Sequence, residues 1–300
     1  MNPIRKLAIQ TYVGMTSPIR WYWGNAMAKA NRYPMGVLFY HRVSDVNPNP
    51  WTISTACFEN QMEWLRNNFE IISLAEIQER MVSGNDKPAV AITFDDGYAD
   101  NSLTAIPYLI NHQIPATYFV STEYVKSGKP FPHDQQLGVN LAPNGIESLR
   151  LMSRAGIEIG AHTRSHRDLG QTKDPETLFD ELVVARDELE DLVECSVKYF
   201  AFPYGQFENL NDEVFRLAKM YGFQGVCSAY GGLNSPGADP FHLQRIHGDP
   251  EMIRIRNSLT LDPRAVLKTA YPLPEMDFEK MPERIEESEK QELAGNVVGN

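Results

Sequence analysis

Two adjacent carboxylates close an apolar run in the first third of the chain. Residues 89–94 read Ala-Val-Ala-Ile-Thr-Phe, and Asp95, Asp96 and Gly97 follow them directly. An apolar run of this length, bounded by Pro88 and by an Asp-Gly pair, predicts a buried strand that ends in a turn. Adjacent like charges are costly to bury unless a cation lies beside them. The pair therefore indicates either a solvated turn or a site that holds positive charge.

Two histidines four residues apart, His162 and His166, carry a second chemical signal. On a helical turn this spacing places both imidazoles on one face, within reach of a single cation. The spacing alone is weak evidence, because it often arises by chance. One of the two aspartates would complete a two-histidine, one-carboxylate ligand set that leaves a coordination position for water. The other aspartate would then face that water as a general base.

The elements that must position these groups alternate along the chain. Strand candidates lie at 36–40, 89–94, 116–120, 157–161, 197–202, 223–227 and 242–246. Helix candidates lie between them at 55–68, 74–83, 101–112, 146–155, 175–194 and 211–221, with a Gly- and Pro-rich loop at 126–145. This alternation predicts an α/β fold with a parallel sheet and helices outside it. Seven strands favour an irregular closed (β/α) barrel, and an open doubly wound sheet is the alternative.

Polar clusters follow four of these strand candidates. They are Tyr40-His41-Arg42, Asp95-Asp96-Gly97, residues 161–166 (Ala-His-Thr-Arg-Ser-His) and residues 202–205 (Phe-Pro-Tyr-Gly). In a parallel barrel the C-terminal ends of all strands open on one face, where active sites lie. We therefore expect these clusters to converge in space although they are distant in sequence.

The two ends of the chain read differently from its middle. Residues 1–35 are expected to form an irregular lead-in, and 36–271 the main domain. Residues 272–300 are Glu-rich with few large apolar side chains, which predicts a partly helical or flexible acidic tail. The aromatic run 21–23 (Trp-Tyr-Trp) would pack onto the domain or touch a membrane interface, and packing is the favoured reading.

The composition of the chain argues against several classes of protein. The net charge of −11 argues against a nucleic-acid partner, which would need a basic surface. The three cysteines, Cys57, Cys195 and Cys227, lack the spacing of a zinc ribbon or a redox pair. The sequence has neither an apolar stretch of about 20 residues, as a membrane span requires, nor the apolar core of a signal peptide. We therefore predict a cytoplasmic protein, with export or peripheral membrane association as alternatives; the sequence does not predict the oligomeric state.

Three motifs together indicate a family. Residues 93–97 (Thr-Phe-Asp-Asp-Gly), 162–166 (His-Thr-Arg-Ser-His) and 202–205 (Phe-Pro-Tyr-Gly) occur in this order. They resemble the first three signature motifs of the polysaccharide deacetylases, the NodB-like enzymes of carbohydrate esterase family 4. The resemblance spans roughly 36–247. It implies a distorted (β/α)7 barrel, one divalent metal ion that is commonly zinc and sometimes cobalt, nickel or iron, and removal of acetyl groups from N-acetylhexosamines in glycans.

The resemblance assigns a role to each matching position. Asp95 corresponds to the general base. Asp96, His162 and His166 correspond to the metal ligands. Tyr204 corresponds to the residue whose backbone N–H helps to bind the oxyanion.

Two departures from the family pattern affect these roles. The third motif usually carries, two places before its proline, an arginine that orients the base; here that position is Ala201, and Arg245 is the candidate substitute. The usual late motif, an apolar strand that ends in Leu-x-His, is absent near the C-terminus. Residues 37–41 (Val-Leu-Phe-Tyr-His) have that form instead, which resembles the circularly permuted branch that contains exopolysaccharide and biofilm deacetylases.

By this reading His41 is the general acid that protonates the leaving amine. His242 and His247 are rival general acids. His133 and Asp134, in the 126–145 loop, are further candidates for contact with the substrate, or are simply solvated.

The resemblance thus implies a metal-dependent N-deacetylase that acts on a carbohydrate substrate containing N-acetylglucosamine-type sugars, in exopolysaccharide metabolism. An O-acetyl esterase or a non-sugar amidase built on the same site is the first alternative. A carbohydrate-binding protein with impaired catalysis is the alternative from another class, because Ala201 and the missing late motif depart from the pattern.

Overall fold

A parallel sheet forms the centre of the molecule. The structure, a computed structural model, describes residues 2–274; the remainder of the predicted acidic tail lies outside the described residues. The strands of the sheet are β1 Gly36–Tyr40, β2 Ala89–Phe94, β3 Ala116–Val120, β4 Glu158–Ala161, β5 Tyr199–Ala201, β6 Gly225–Cys227, β7 His242–Leu243 and β8 Ile246–His247. Their order is β7-β6-β5-β4-β3-β2-β1-β8, and neighbouring strands are parallel.

The two edge strands of this sheet, β7 and β8, belong to one short segment of the chain. β7 pairs with β6, with Leu243 opposite Cys227, and β8 pairs with β1, with Ile246 opposite Leu38. Only Gln244 and Arg245 separate β7 from β8, so the segment bridges both edges of the sheet. The sheet therefore curls into the distorted (β/α)7 barrel expected from the sequence, with its seventh strand interrupted in the middle.

Helices surround the barrel. Their bounds are Pro3–Lys29, Thr55–Asn68, Leu74–Ser83, Ala105–Asn111, Thr122–Ser127, Pro132–Gln136, Ile146–Arg154, Pro175–Phe179, Ala185–Val193, Asp212–Met220, Met252–Leu259 and Pro263–Val266. A π-helical turn, Asp180–Val184, joins the eighth and ninth of these into one continuous helix. Short 3₁₀ turns span Ala99–Ser102, Leu169–Gln171 and Phe207–Asn209.

Three short strands lie beside the main ring. Glu70–Ile71 pairs with the start of β2. Arg42–Val43 pairs with Thr52–Ile53 in a separate two-stranded sheet next to the end of β1.

The strands read as unbroken apolar runs because both of their faces are buried. In β1, Leu38 and Tyr40 pack outward against the helices, whereas Val37 belongs to a cluster inside the barrel with Ala91 and Phe119. This follows from the two-residue period of a strand, which sends alternate side chains to opposite faces. The polar residues come directly after the strands in the sequence. They therefore lie at the rim of the barrel, at the C-terminal ends of the strands.

The expectation that residues 1–35 form an irregular lead-in is wrong. Residues Pro3–Lys29 form a helix that begins with Asn2 as its N-cap, since Oδ1 of Asn2 accepts from the backbone N–H of Ile4 at 2.9 Å. The sequence pattern concealed this helix because Pro18 lies inside it and because the two residues that it buries, Arg20 and Gly24, provide no large apolar side chain.

The aromatic run in this helix does not pack as favoured. Trp21 and Tyr22 are 72% and 67% exposed, and Trp23 is half-buried. Among residues 2–274, no helix is both long enough and apolar enough to cross a membrane.

Candidate active site

The aspartate pair at the end of β2 is buried, not solvated. Asp95 and Asp96 are 3% and 4% exposed. Asp96 and Gly97 have φ values of 67° and 75°, so the chain turns through the left-handed region directly after the strand. A side chain at Gly97 would also place its Cβ 2.8 Å from Val120. Because of this tight turn, the two carboxylates point in different directions and contact different residues.

Asp95 is held by Arg245 in a fully buried, two-pronged ion pair. Nη1 of Arg245 donates to Oδ1 of Asp95 at 2.6 Å, and Nη2 donates to Oδ2 at 2.8 Å. Burial alone would raise the pKa of Asp95, but the guanidinium, with His162 and His41, outweighs that effect and holds the pKa below its ordinary value. Asp95 is therefore an oriented and ionised carboxylate.

Arg245 is itself fixed on all sides. Its Nε donates to the backbone oxygen of Ser228 at 2.9 Å, and its guanidinium lies over the rings of Phe39 and Phe119 at 4.9 and 5.3 Å. Arg245 is placed by the interruption between β7 and β8. The structure thus brings a cation to Asp95 from the closing strand, although the resemblance expected one from position 201.

Asp96 faces the two histidines of the second motif. Its Oδ1 lies 3.1 Å from Nε2 of His166 and 3.5 Å from Nε2 of His162, and the three ligand atoms lie within 4.8 Å of one another. Oδ1 is buried and has no aligned hydrogen bond to any of the described residues. Donor atoms that converge on a common point instead of bonding one another fit a site for a cation.

The second motif reaches this position through a loop and not through the helical turn expected from the four-residue spacing. Thr163 and His166 have φ values of 61° and 59°, which bend the chain back on itself. Nδ1 of His162 lies 2.8 Å from the backbone oxygen of Ala201, which leaves Nε2 directed at Asp96. The small residue at 201 therefore has a positioning contact of its own, through its backbone.

A buried glutamate that the sequence reading missed anchors this loop. Glu181 accepts from the backbone N–H of Ser165 at 2.9 Å and from its hydroxyl at 2.5 Å. It lies in the π-helical turn and is only 4% exposed. The available signal was a charged residue beside Leu178 and Leu182 on the apolar face of the predicted 175–194 helix.

His41 approaches the aspartates from the end of β1. Its backbone oxygen accepts from Nδ2 of Asn101 at 2.7 Å, and its buried Nδ1 has no hydrogen-bond partner among the described residues. Burial lowers the pKa of His41, although the carboxylates of Asp96 and Asp95 act in the opposite direction. The ring thus lies near both aspartates with one nitrogen available.

The rival histidines differ in position. His242 lies outside the cavity: its Nε2 lies 2.9 Å from Oγ of Ser228, and its ring packs against Phe215. His247 lines the same cavity as His41, with its ring centre 5.9 Å away. Burial, aided by the neighbouring His41, lowers the pKa of His247 to about 4.

Tyr204 lies on a strained turn at the cavity mouth. Its φ is 61°, its side chain is exposed, and its ring packs edge-on against His166 at 5.3 Å. Gly205 follows with a φ of 59° and would place a Cβ 2.8 Å from the backbone of Ala229. We find no hydrogen bond from the Tyr204 backbone N–H to another of residues 2–274, so this donor is available.

The two aspartates, His41, the two histidines of the second motif, Tyr204 and His247 line one cavity of about 430 Å³. Its lining residues are Phe39, His41, Pro50, Trp51, Asp95, Asp96, His133, His162, His166, Tyr204, Gln206, Ala229 and His247. Every position that the sequence marked for chemistry is therefore in or beside this cavity, with the exception of His242.

Residues 83–226 match the polysaccharide deacetylase family. The matched region contains both aspartates, both histidines of the second motif and Tyr204. The chain carries a polysaccharide deacetylase domain. His41 and Arg245 lie outside the matched region, so their place in the deacetylase site is visible from the structure and not from the match.

Known proteins resemble this deacetylase chain over most of its length. It is 26% identical over 219 residues to YxkH of Bacillus subtilis (strain 168), which covers 72% of each chain. It is 25% identical over 228 residues to the poly-beta-1,6-N-acetyl-D-glucosamine N-deacetylase of Staphylococcus aureus (strain MRSA252), covering 73% of this chain and 74% of the relative. The Streptococcus pyogenes deacetylase PplD, solved in complex with acetate, superposes with a TM-score of 0.64 at 21% identity, covering 75% and 98% of the two chains.

One wall of the deacetylase cavity comes from segments that the sequence reading treated as loops. The 126–145 segment contains the short helix Pro132–Gln136, and Asp134 within it is completely buried. The hydroxyl of Tyr98 donates to Oδ2 of Asp134 at 2.8 Å, accepts from Nε1 of Trp51 at 3.0 Å, and lies 3.1 Å from Nε2 of His133. Asp134 therefore stabilises the cavity wall through its hydrogen bond to Tyr98, whereas His133 lines the cavity itself.

Trp51 is a lining residue that the sequence reading missed. It follows Asn-Pro-Asn-Pro in an irregular segment, where no periodic pattern marks it as functional.

Proposed function

We propose that this chain hydrolyses the acetamide group of N-acetylhexosamine residues in a polysaccharide or glycan precursor. The observation that carries the proposal is that the two adjacent aspartates have different partners. Asp95 is paired with Arg245, whereas Asp96 meets two histidine rings, and both carboxylates face one cavity. A base and a cation site that lie side by side can together activate water for the hydrolysis of an unactivated amide.

The cation site would be formed by Asp96, His162 and His166. One carboxylate and two imidazoles suit zinc, with cobalt, nickel or iron as alternatives. When bound, the cation would supply Lewis acidity toward the attacking water and the acetamide oxygen.

The proton transfers would be performed by the residues around this site. Asp95 takes a proton from the water, whose oxygen attacks the acetamide carbon. The backbone N–H of Tyr204 donates to the oxyanion that develops on the substrate. His41 gives a proton to the nitrogen as the C–N bond breaks, so that acetate and a free amine leave.

His41 is the preferred general acid over His247 for an electrostatic reason. Burial lowers the pKa of both imidazoles, but at His41 the charges of Asp96 and Asp95 act against this effect. The charge of His41 disfavours protonation of His247. Of the two candidate acids that line the cavity, we therefore assign the proton transfer to His41, which lies beside both aspartates.

The polymer that we propose first is a β-1,6-linked N-acetylglucosamine chain, because a relative of similar length is named for that activity. An exopolysaccharide of this kind agrees with the permuted arrangement, in which the histidine strand precedes the aspartate motif. Acetate release should be measured with β-1,6-linked oligomers, chitooligosaccharides and an O-acetylated glycan, each with zinc and with a chelator. Faster release from the O-acetylated glycan would identify an esterase, and binding without release from any substrate would identify a carbohydrate-binding protein.

Two substitutions separate the base from the cation site. In Asp95→Asn we expect kcat for acetate release to fall by about 10²- to 10⁴-fold, because the base is lost, while one metal per chain is retained. In His162→Ala we expect the metal itself to be lost. Metal content by mass spectrometry and acetate release, measured on the same samples, check both. Full turnover by Asp95→Asn would overturn the assignment of the base, and undiminished metal in His162→Ala would overturn the ligand set.

A further inference from the structure

The N-terminal helix presents an apolar face to solvent. Ile4, Leu7, Met15, Ile19 and Tyr22 are between 53% and 77% exposed. They follow one another at intervals that return to the same side of a helix, with Thr11 and Pro18 between them. We call these five side chains the apolar stripe. From Ile4 to Tyr22 it extends about 27 Å at 1.5 Å per residue.

The opposite face of the helix is bonded to the rest of the molecule. Arg20 is buried and donates to the backbone oxygen and to Oδ1 of Asn257 at 2.8 and 2.7 Å. The hydroxyl of Tyr12 donates to Asp262 at 3.1 Å, and Gly24 fits closely against Leu261. Because these polar contacts fix the rotation of the helix, the apolar stripe cannot turn inward without breaking them. The apolar stripe is therefore an exposed surface that a binding partner could cover.

The charge of the helix indicates what that partner is. Pro3–Lys29 contains Arg5, Lys6, Arg20 and Lys29 but no acidic residue, in a chain with 39 acidic and 28 basic residues. Arg5, Lys6 and Lys29 are exposed, although Lys6 also reaches Glu251 at 3.2 Å. Exposed aromatic and aliphatic side chains combined with flanking basic residues are the signature of a helix that lies in a lipid headgroup layer.

A second copy of the chain fits this surface less well. Two such helices packed against each other would bring only basic residues together, because neither supplies an acidic side chain to pair with them. An anionic lipid surface supplies the missing negative charge. The acidic remainder of the molecule would be repelled by the same surface, so attraction is confined to this helix.

We infer that the helix Pro3–Lys29 binds in the plane of an anionic phospholipid surface, with the apolar stripe inserted among the lipids. The first turns of the helix lie beside the candidate active site: Arg5 and Ile9 line a cleft of about 530 Å³ that shares Ala229 and His247 with the site cavity. Binding in this way keeps the deacetylase domain at the lipid surface. The inference stands on the helix alone and does not require the proposed reaction.

Vesicle flotation of the full chain tests this inference. The probe is a set of phosphatidylglycerol–phosphatidylcholine vesicles, compared with pure phosphatidylcholine vesicles. The test variant is Leu7→Glu/Met15→Glu, which places two charges in the apolar stripe. The matched control is Val82→Glu/Leu151→Glu, because these side chains are also exposed, at 76% and 63%, but lie on other helices. All substitutions are on the surface, and circular dichroism verifies the fold.

We expect the wild type and the control variant to float with the phosphatidylglycerol vesicles, and the stripe variant to bind at least tenfold less. Binding to pure phosphatidylcholine should be weaker than to the anionic vesicles. Acetate release from soluble oligosaccharides should be the same in all three proteins, so a failure of the proposed reaction would show separately. No binding by the wild type would overturn the inference, as would equal loss in the control variant. A dimer in analytical ultracentrifugation that the stripe variant converts to a monomer would assign the surface to a second copy instead.

Discussion

At the scale of single residues, Arg245 determines the state of Asp95. A guanidinium that makes two parallel hydrogen bonds fixes both the charge and the plane of a carboxylate, which a lysine ammonium cannot do. Burial without the guanidinium would raise the pKa of Asp95, since desolvation disfavours the charged form. Arg245 touches no reacting atom in the proposed mechanism and is therefore a positioning residue.

The substitution Arg245→Met should move the acid limb of the pH profile. In the wild type the pKa of Asp95 lies below its ordinary value, so the base stays ionised throughout the neutral range. Without the cation, burial dominates, and protonated Asp95 persists to higher pH. We expect the acid limb of kcat/KM to shift upward by about one pH unit or more, measured as acetate release between pH 4 and 9.

Arg245→Lys is the matched control for this shift. It retains the charge but loses the two-pronged geometry, so we expect reduced kcat with a much smaller displacement of the acid limb. Loss of stability would lower activity at every pH and leave the limb in place. An unmoved limb in Arg245→Met would therefore show that Arg245 does not control the ionisation of Asp95.

At the scale of elements, the loops after the strands hold one another in place. Arg42, after β1, makes two hydrogen bonds of 2.8 Å each to the carboxylate of Asp100, after β2. Asn101 bridges the same loops, because it donates to the backbone oxygen of His41 and accepts from the N–H of Val43. The proposed acid and the proposed base are thus carried by two strand ends that are tied together.

Glu181→Gln should weaken metal binding without touching the metal ligands. The amide that replaces one carboxylate oxygen can no longer accept both hydrogen bonds from Ser165, so the loop between His162 and His166 loses its anchor. Partners that orient ligands from behind typically contribute about 10- to 100-fold in affinity. We expect zinc affinity to fall within that range, as measured by competition with a chromogenic chelator.

Glu176→Gln provides the control for this variant, because Glu176 lies on the same continuous helix but is exposed. It should leave zinc affinity unchanged. Equal affinity in Glu181→Gln and the wild type would mean that the loop holds its shape without the glutamate.

The sequence predicted elements better than the shapes of the loops between them. Buried strands such as 36–40 and 89–94 are continuous apolar runs bounded by turn residues, so their limits match the structure. The 162–166 loop was expected to be a helical turn because a spacing of four suits one. The left-handed conformations of Thr163 and His166 are enforced by tertiary contacts and leave no local signal.

At the scale of the whole molecule, the barrel depends on contacts between its first and last strands. Gly248, which directly follows β8, donates from its backbone N–H to the oxygen of Phe39 in β1 at 2.8 Å. A Cβ at Gly248 would lie 2.2 Å from the ring of Tyr40. That ring cannot yield easily, because it is buried and its hydroxyl donates to Gln61 at 2.9 Å.

Gly248→Ala should therefore destabilise the closed barrel. Overpacking at a rigid contact costs about 1–3 kcal/mol, and we expect a loss of this size in the free energy of unfolding, measured with urea. Gly14→Ala is the control: no atom lies within 4 Å of the added Cβ, and the position is inside a helix. It should be neutral or up to about 1 kcal/mol more stable. A neutral Gly248→Ala would show that the β1–β8 closure is loose.

Long-range pairings were the part of the molecule that the sequence predicted least. Arg245 was a candidate partner of Asp95 only because position 201 lacked an arginine; the two residues are 150 positions apart. The N-terminal helix escaped prediction for a different reason, since its apolar side chains face solvent and its buried contact is an arginine.

The interruption between β7 and β8 also sets an order of assembly. During synthesis β1 leaves the ribosome 208 residues before its partner in β8 (Leu38 to Ile246), and Asp95 leaves 150 residues before Arg245. Until residues 242–248 emerge, Asp95 has no guanidinium, and the first strand lacks its last neighbour. The ion pair of the proposed base and the closed barrel are therefore completed by the same step. A chain that ends before residue 242 would lack the guanidinium that orients the proposed base, so the proposed hydrolysis would be confined to molecules whose barrel has closed.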